Sequence, residues 1–132
     1  MTDSTQPRRT FVTVPELMPV EALSHVADTG TTVYLSGVLG INAGSTEAHP
    51  AIAEQTTAAI ANLALALDAV DLALTDVVQV RVYLADLADM VAMNDAYIAA
   101  FAAPRPARTT IGAALALGAK IEIDAVAVRR GQ

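Results

Sequence analysis

Residues 120–129 read KIEIDAVAVR and show the clearest alternation of side chains in the sequence. Every second residue from Ile121 onward is apolar, and the residues between them begin with Glu122 and Asp124. A period of two places successive side chains on opposite faces of a β-strand. The stretch therefore predicts a strand with one face in the core and a second face that carries two carboxylates.

Other segments have the composition or the alternation of strands. Residues 78–84 alternate valine and leucine with polar or aromatic side chains, and Arg81 among them is expected to extend into solvent or to form an ion pair at a sheet edge. Residues 31–35 are β-branched and aromatic, and this strand is expected to end at the following Gly37. The predicted strands are residues 11–14, 31–35, 78–84, 108–114 and 120–129.

Two longer stretches have helical periodicity. Residues 52–70 place their large apolar side chains on one face, which predicts an amphipathic helix of about five turns. Residues 87–103 return to the same spacing before two prolines, Pro104 and Pro106, end the pattern. The apolar face of this second helix is predicted to contain Met90, Met93, Tyr97 and Phe101.

The order of elements predicts a single α/β (α+β) domain. The order is β-β-α-β-α-β-β, which favours a mixed sheet with both helices on one face. Residues 1–10 are polar and are predicted to form a disordered N-terminal tail, so that the domain comprises residues 11–132. The second sheet face then needs a cover. Since 54% of the residues are hydrophobic and only 4% are aromatic, a copy of the same chain is the simplest cover.

Charge and composition exclude several classes of function. Fourteen acidic and eight basic side chains give a net charge of −6, which opposes binding to nucleic acid. The sequence contains no cysteine, and its two histidines lie in no ligand-spaced motif, so neither a metal site nor a cofactor site is predicted. No apolar run of membrane length occurs, and a cytoplasmic protein is expected.

Two charged positions are the strongest candidates for chemistry. Arg108 is the first residue of a predicted strand and follows the segment Pro-Arg-Pro-Ala. The two prolines restrict the backbone there, so the Arg108 side chain extends from a rigid position. Glu122 and Asp124 share one face of the strand that comes next in the sequence, which is expected to be its neighbour in the sheet. Such charges form either a structural ion pair between subunits or a functional site, and the pattern alone leaves both interpretations open.

Several short motifs together resemble the RidA/YjgF family of enamine/imine deaminases, and the similarity extends from about residue 23 to residue 129. The family implies a chorismate-mutase-like fold and a homotrimer with active sites between subunits. The matching motifs are Leu23-Ser24-His25, Leu35-Ser36-Gly37, residues 76–87, Met93-Asn94-Asp95-Ala96-Tyr97, Pro106-Ala107-Arg108-Thr109 and Ile121-Glu122-Ile123-Asp124.

The resemblance implies hydrolysis of 2-aminoacrylate-type enamine/imine intermediates to 2-keto acids and ammonia, without a metal or cofactor. The resemblance further implies that Arg108 binds the substrate carboxylate and that Glu122 deprotonates the attacking water. The remaining pocket residues that the family implies are Ser36, Gly37, Asn94, Thr110 and the residue at position 23, which is Leu23.

Some positions depart from the family pattern. Leu23 stands where many active members have tyrosine, Val38 and Gly40 replace a glutamine and a proline, and Gly112 replaces a frequent glutamate. The pocket is therefore expected to be more apolar than usual. These departures favour an alternative, a trimer that binds a small carboxylate without catalysis and has a regulatory role. The ribonuclease activity ascribed to some relatives conflicts with the net charge.

Overall fold

The computed structural model describes residues 9–131. In this range it contains six strands and two α-helices. The strands are β1 (Thr10–Val12), β2 (Val26–Asp28), β3 (Thr32–Leu39), β4 (Val77–Leu84), β5 (Ala107–Gly112) and β6 (Ile121–Val128), and the helices are α1 (Ile52–Asp68) and α2 (Met90–Ala100).

The strands form one mixed sheet in the order β1-β2-β3-β6-β4-β5. All neighbours are antiparallel except β4 and β5, which run parallel because α2 returns the chain across the sheet between them. The alternation of β6 is confirmed, since Ile121 and Ile123 are fully buried while Glu122 between them is partly exposed. The last strand in the sequence thus lies at the centre of the sheet.

Both helices pack on one face of the sheet, as predicted. Leu63 and Leu67 of α1 and Met93 of α2 are buried in the same core as Val80 and Val82 of β4. Side chains on the opposite face are exposed, and they include Tyr34 at 50% and Val128 at 38% of their full areas. Within the described range, neither helix is long and apolar enough to cross a membrane.

The structure differs from the expected pattern at the N-terminal half of the sheet. It contains an additional strand, β2, whose three residues are too few to show a period. The strand β3 does not end at Gly37 but continues to Leu39 through a bulge between Leu35 and Val38. Strand β1 already begins at Thr10, the last residue of the predicted tail, and residues 1–8 of that tail lie outside the described residues.

Helix α2 is shorter at both ends than the helical pattern. The segment Leu87–Asp89 is a separate 3-10 turn, and the Asp86 carboxylate accepts a hydrogen bond from the Ala88 N–H at 2.9 Å. At the other end α2 stops at Ala100, and the guanidinium of Arg105 donates to the carbonyl oxygen of Phe101 at 2.8 Å. The apolar face was correctly identified, because Met93, Tyr97 and Phe101 are buried.

Helix α1 is anchored to the sheet by a buried glutamine. The Gln55 side chain accepts a hydrogen bond from the backbone N–H of Lys120 at 2.8 Å and donates to the carbonyl oxygen of His49. Gly40 lies directly against this turn of the helix. A β-carbon at Gly40 would come within 2.6 Å of the Gln55 carbonyl oxygen, so only glycine allows this approach.

Candidate active site

Glu122 lies on the face of β6 that the helices do not cover, against the bulge in β3. A β-carbon at Gly37 would overlap the Oε2 atom of Glu122 and would lie 3.0 Å from its Cδ atom. The carboxyl group therefore occupies the space that a side chain at position 37 would fill. Glycine at this bulge is what allows the carboxyl group to pack against the backbone of β3.

The Glu122 carboxyl group contributes to the wall of a cavity of about 300 Å³. Leu23 and Val38 line the same cavity, so two of the positions that depart from the family pattern lie beside the candidate carboxylate. Most of the cavity wall is aliphatic. The apolar lining residues are Leu17, Met18, Val20, Leu23, Val38, Leu39, Ile41, Ala43 and Ala116.

Burial of Glu122 raises the pKa of its carboxyl group above the ordinary value, and the nearby negative charge of Asp124 raises the pKa further. Within the described residues, Glu122 forms no ion pair and no side-chain hydrogen bond. A carboxyl group in such surroundings binds a proton more readily than one in water. Its raised pKa makes it a better proton acceptor than an ordinary carboxylate.

The two acids on this face of β6 have different surroundings. Asp124 accepts hydrogen bonds from Arg81 Nε at 2.8 Å and from the Tyr83 hydroxyl at 3.0 Å. Asp124 is thus the partner in a structural ion pair, whereas Glu122 has none among the described side chains. Arg81 belongs to β4, an interior strand, so the expected pairing is observed but not at a sheet edge.

Arg108 lies on β5, at the edge of the sheet, and its side chain turns toward α2. The guanidinium carbon lies over the ring of Tyr97, 4.7 Å from the ring centroid, and Nη1 is 3.9 Å from the Met93 sulfur. No carboxylate pairs with Arg108 within the described residues. Its N–H donors therefore remain available for an anion, which is the role that the family resemblance implies.

The other predicted pocket residues separate into two groups. The Ser36 hydroxyl donates to the Ser24 carbonyl oxygen at 2.6 Å and so supports the loop that carries Leu23. Thr110 lies two residues after Arg108 on β5, and its hydroxyl oxygen is buried with no hydrogen-bond partner in the described part of the chain. Asn94 follows Met93 on α2 and is half-buried. Leu23 and Gly37 thus line the cavity of Glu122, and Thr110 shares strand β5 with Arg108, while Asn94 is the sequence neighbour of a residue that contacts Arg108.

Arg108 and Glu122 do not meet within one chain, which corrects the expectation that their strands are neighbours. Strand β4 lies between β5 and β6, so the strand axes are roughly 10 Å apart. Arg108 pairs in register with Val80, which is buried beneath the helices, whereas Glu122 pairs with Tyr83 on the opposite face. The chain therefore has two separate candidate half-sites, which are called the carboxylate half-site, around Glu122, and the arginine half-site, around Arg108.

The residues that surround these two charges were not identified as site residues from the sequence. Tyr97 and Met93 are predicted from the sequence only as core residues, but they also contact Arg108. Their spacing of four residues places them on one helix face, and this is the only feature of the sequence that indicates a shared contact. The loop residues Leu17, Met18 and Val20, which form a wall of the carboxylate half-site, have no periodic pattern. Their position depends on His25, which accepts the Val14 N–H at 2.8 Å and lies 3.0 Å from the Met18 carbonyl oxygen.

Comparison with known proteins supports this description of the fold. The model of the family described as endoribonuclease L-PSP matches residues 13–129. The 2-iminobutanoate/2-iminopropanoate deaminase of Dermatophagoides farinae is 32% identical over 124 residues, covering 92% of this chain and 97% of that protein. The deaminase of the same name from Capra hircus is 38% identical over 100 residues, covering 74% of this chain and 73% of its own.

Solved structures show the same architecture. The crystal structure of the YjgF gene product from E. coli has a TM-score of 0.86 and 30% identity, and covers 93% of this chain and 100% of its own. The structure of RidA from the Antarctic bacterium Psychrobacter sp. PAMC 21119 has a TM-score of 0.85 at 30% identity, with 92% of this chain and 100% of that chain covered. The chain therefore belongs to the endoribonuclease L-PSP family, which is the RidA/YjgF family.

Proposed function

We propose that this protein hydrolyses reactive enamine/imine intermediates of the 2-aminoacrylate type to 2-keto acids and ammonia. Two relatives whose matches cover 92% and 74% of this chain have the name 2-iminobutanoate/2-iminopropanoate deaminase. The observation that carries the proposal is Glu122, a carboxyl group without an ion-pair partner in the described residues, in an apolar cavity and with a raised pKa. This is the state that a group needs to accept and return a proton during hydrolysis.

The reaction needs one carboxylate anchor and one proton carrier. The enamine takes up a proton on carbon to become the imine, and water then adds to the C2 atom of the imine. Glu122 accepts a proton from that water and passes it to the nitrogen, which gives the carbinolamine. Glu122 then moves the remaining hydroxyl proton to the amino group, so that the C–N bond breaks, ammonia leaves and the 2-keto acid remains. Arg108 binds the substrate carboxylate through two parallel N–H donors and fixes C2 relative to Glu122.

The two half-sites support a site that is formed between subunits. Arg108 and Glu122 lie on opposite faces of the sheet, so a site with both needs two chains. We propose that residues 11–132 form the single domain of a homotrimer in which each site combines the arginine half-site of one chain with the carboxylate half-site of the next. The exposed sheet face with Tyr34 and Val128 is the proposed contact surface.

The proposed location is the cytoplasm. The relatives include a chloroplastic protein from Arabidopsis thaliana, Reactive Intermediate Deaminase A, and the mitochondrial protein mmf2 from Schizosaccharomyces pombe. The proposal rests on the absence of cysteine from the sequence, which suits a reducing compartment.

Ammonia release from 2-iminobutanoate formed in situ tests the activity. The wild-type protein should accelerate release, and Arg108→Ala should reduce this acceleration to background because the carboxylate anchor is lost. Glu122→Gln should retain affinity for a 2-keto acid but slow turnover, since the amide keeps the volume but cannot serve as a base. Arg130→Ala is the matched control: Arg130 is exposed and pairs with Asp76, outside both half-sites. Equal rates for wild type and Arg108→Ala would contradict the proposal.

Mixing the two inactive variants tests the shared site. Co-expressed Arg108→Ala and Glu122→Gln chains should recover activity, because an intact Arg108 in one chain can face an intact Glu122 in the next. Random assembly of equal amounts would restore about a quarter of the sites. No recovery, in mixed oligomers verified by mass spectrometry, would show that each site belongs to a single chain.

The alternative function is a non-catalytic trimer that binds a small carboxylate. A wild-type protein that binds 2-keto acids but releases no ammonia would support that alternative.

A further inference from the structure

Arg108 rests on two buried side chains to which the proposed mechanism gives no role. Its guanidinium carbon lies 4.7 Å from the centroid of the Tyr97 ring, and its Nη1 lies 3.9 Å from the Met93 sulfur. Tyr97 is 3% exposed and Met93 is fully buried. Since Tyr97 and Met93 are four residues apart, they lie on the same face of α2 and present one surface to Arg108. We call these two side chains the platform.

The platform holds a cation in a way that an acidic residue would not. An arginine that is held by a carboxylate donates its N–H groups to that carboxylate, so they cannot bind a substrate. An aromatic face attracts the cation through its π-electrons and takes no N–H donor in a conventional hydrogen bond. The contact with the Met93 sulfur at 3.9 Å is at most a weak hydrogen bond. The guanidinium is therefore held in place while its donors stay available for a substrate carboxylate.

The hydroxyl group of Tyr97 does not explain why a tyrosine stands here. Its oxygen is buried and has no hydrogen-bond partner within the described residues. The ring itself is held in position, since it packs against Phe101 with ring centroids 4.7 Å apart. Burial also raises the pKa of the Tyr97 hydroxyl, so the ring is neutral at physiological pH and attracts the cation through its face. The aromatic face is thus the part of Tyr97 that acts on Arg108.

We propose that Tyr97, supported by Met93, is a positioning residue that holds the Arg108 guanidinium with its N–H donors directed at the substrate carboxylate. The inference rests on the proposed function, because it concerns the arginine half-site of that reaction. Its effect is on the binding of the anion: a misplaced guanidinium would bind the carboxylate poorly, while proton transfer at Glu122 would proceed in the complexes that still form.

Tyr97→Leu and Tyr97→Phe form the test. Tyr97→Leu removes the aromatic face, and KM for 2-iminobutanoate should rise about tenfold, as expected for the loss of a buried cation–π contact, with kcat changed less than threefold. Tyr97→Phe keeps the face and should restore a KM within about twofold of wild type. Met93→Leu keeps the apolar volume without the sulfur and should raise KM less than Tyr97→Leu does, because the thioether sulfur is a weak acceptor. Thermal denaturation checks that each variant is folded.

A second measurement separates this inference from the proposed function. Calorimetric titration with 2-oxobutanoate reports on carboxylate binding even in a protein that releases no ammonia. Tyr97→Leu should weaken this binding about tenfold and Tyr97→Phe should not. An inactive wild type with this binding pattern would refute only the proposed function. If Tyr97→Phe weakens binding as much as Tyr97→Leu, or if folded Tyr97→Leu binds like wild type, then Tyr97 does not position Arg108 through its ring.

Discussion

Replacement of Gly37 by alanine should inactivate the protein without unfolding it. The three atoms nearest to a β-carbon at position 37 are Oε2, Cδ and Cγ of Glu122, so the added methyl group meets a single flexible side chain. The Glu122 side chain can rotate away at small energetic cost. The backbone of Gly37 is not in the left-handed region, and the smaller entropy of an unfolded alanine chain even contributes about 0.4–1 kcal/mol of stability. Loss of a positioned base costs about 10²- to 10⁴-fold in rate, and we expect kcat to fall within that range.

The assay compares kcat for ammonia release with the midpoint of thermal unfolding. Gly37→Ala should unfold within a few degrees of wild type, and the control Gly131→Ala, whose β-carbon would meet open space, should match wild type in both measurements. If the methyl group acts only through the carboxylate, Gly37→Ala combined with Glu122→Gln should be no slower than Glu122→Gln alone. A Gly37→Ala variant with wild-type kcat would refute the reasoning, as would a double variant much slower than Glu122→Gln.

Two further perturbations follow from the same contacts. The rate should fall on the acid side of neutrality as Glu122 becomes protonated, because its pKa is raised. Asp124→Asn removes the neighbouring negative charge that helps to raise this pKa, so the acid limb of the kcat/KM profile should move to lower pH. An unmoved limb would exclude Asp124 as a cause. Gly40→Ala should lower the free energy of unfolding by about 1–3 kcal/mol in urea denaturation, since its β-carbon would meet the backbone of Gln55, which cannot rotate away. An unchanged midpoint would show that α1 can shift without cost.

The long elements could be predicted from the sequence because the spacing of their apolar residues keeps one period along the whole element. Alternation in residues 120–129 corresponds to β6, and the apolar face of residues 52–70 corresponds to α1, which ends at Asp68. Strand β2 has three residues and is paired on both sides, so its conformation is set by β1 and β3 rather than by its own pattern. The continuation of β3 past Gly37 likewise depends on a bulge that only the partner strand reveals.

The residue types at the site could be predicted, but their arrangement could not. Arg108 and Glu122 were identified from their unusual positions and from the family resemblance. Their separation follows from the order of strands in the sheet, in which β4 lies between two strands that are consecutive in the sequence. A prediction from adjacent segments assumes that sequence neighbours pair, and here the sheet places β6 at its centre instead. The contact between Gly37 and Glu122 joins residues far apart in sequence, so no local pattern could reveal it.

Because β4 separates the two half-sites, the proposed assembly makes the rate of imine hydrolysis per chain depend on the concentration of chains. Under the proposed function, a lone chain has an anchor for the substrate and a proton carrier on opposite faces of the sheet, where they cannot serve the same molecule. Under the proposed assembly, working sites appear only as chains associate, so the rate per chain should decrease on dilution and increase more steeply than linearly with expression at low levels. A cell that makes too little of the protein would then lose protection against reactive imines sooner than the drop in chain number suggests.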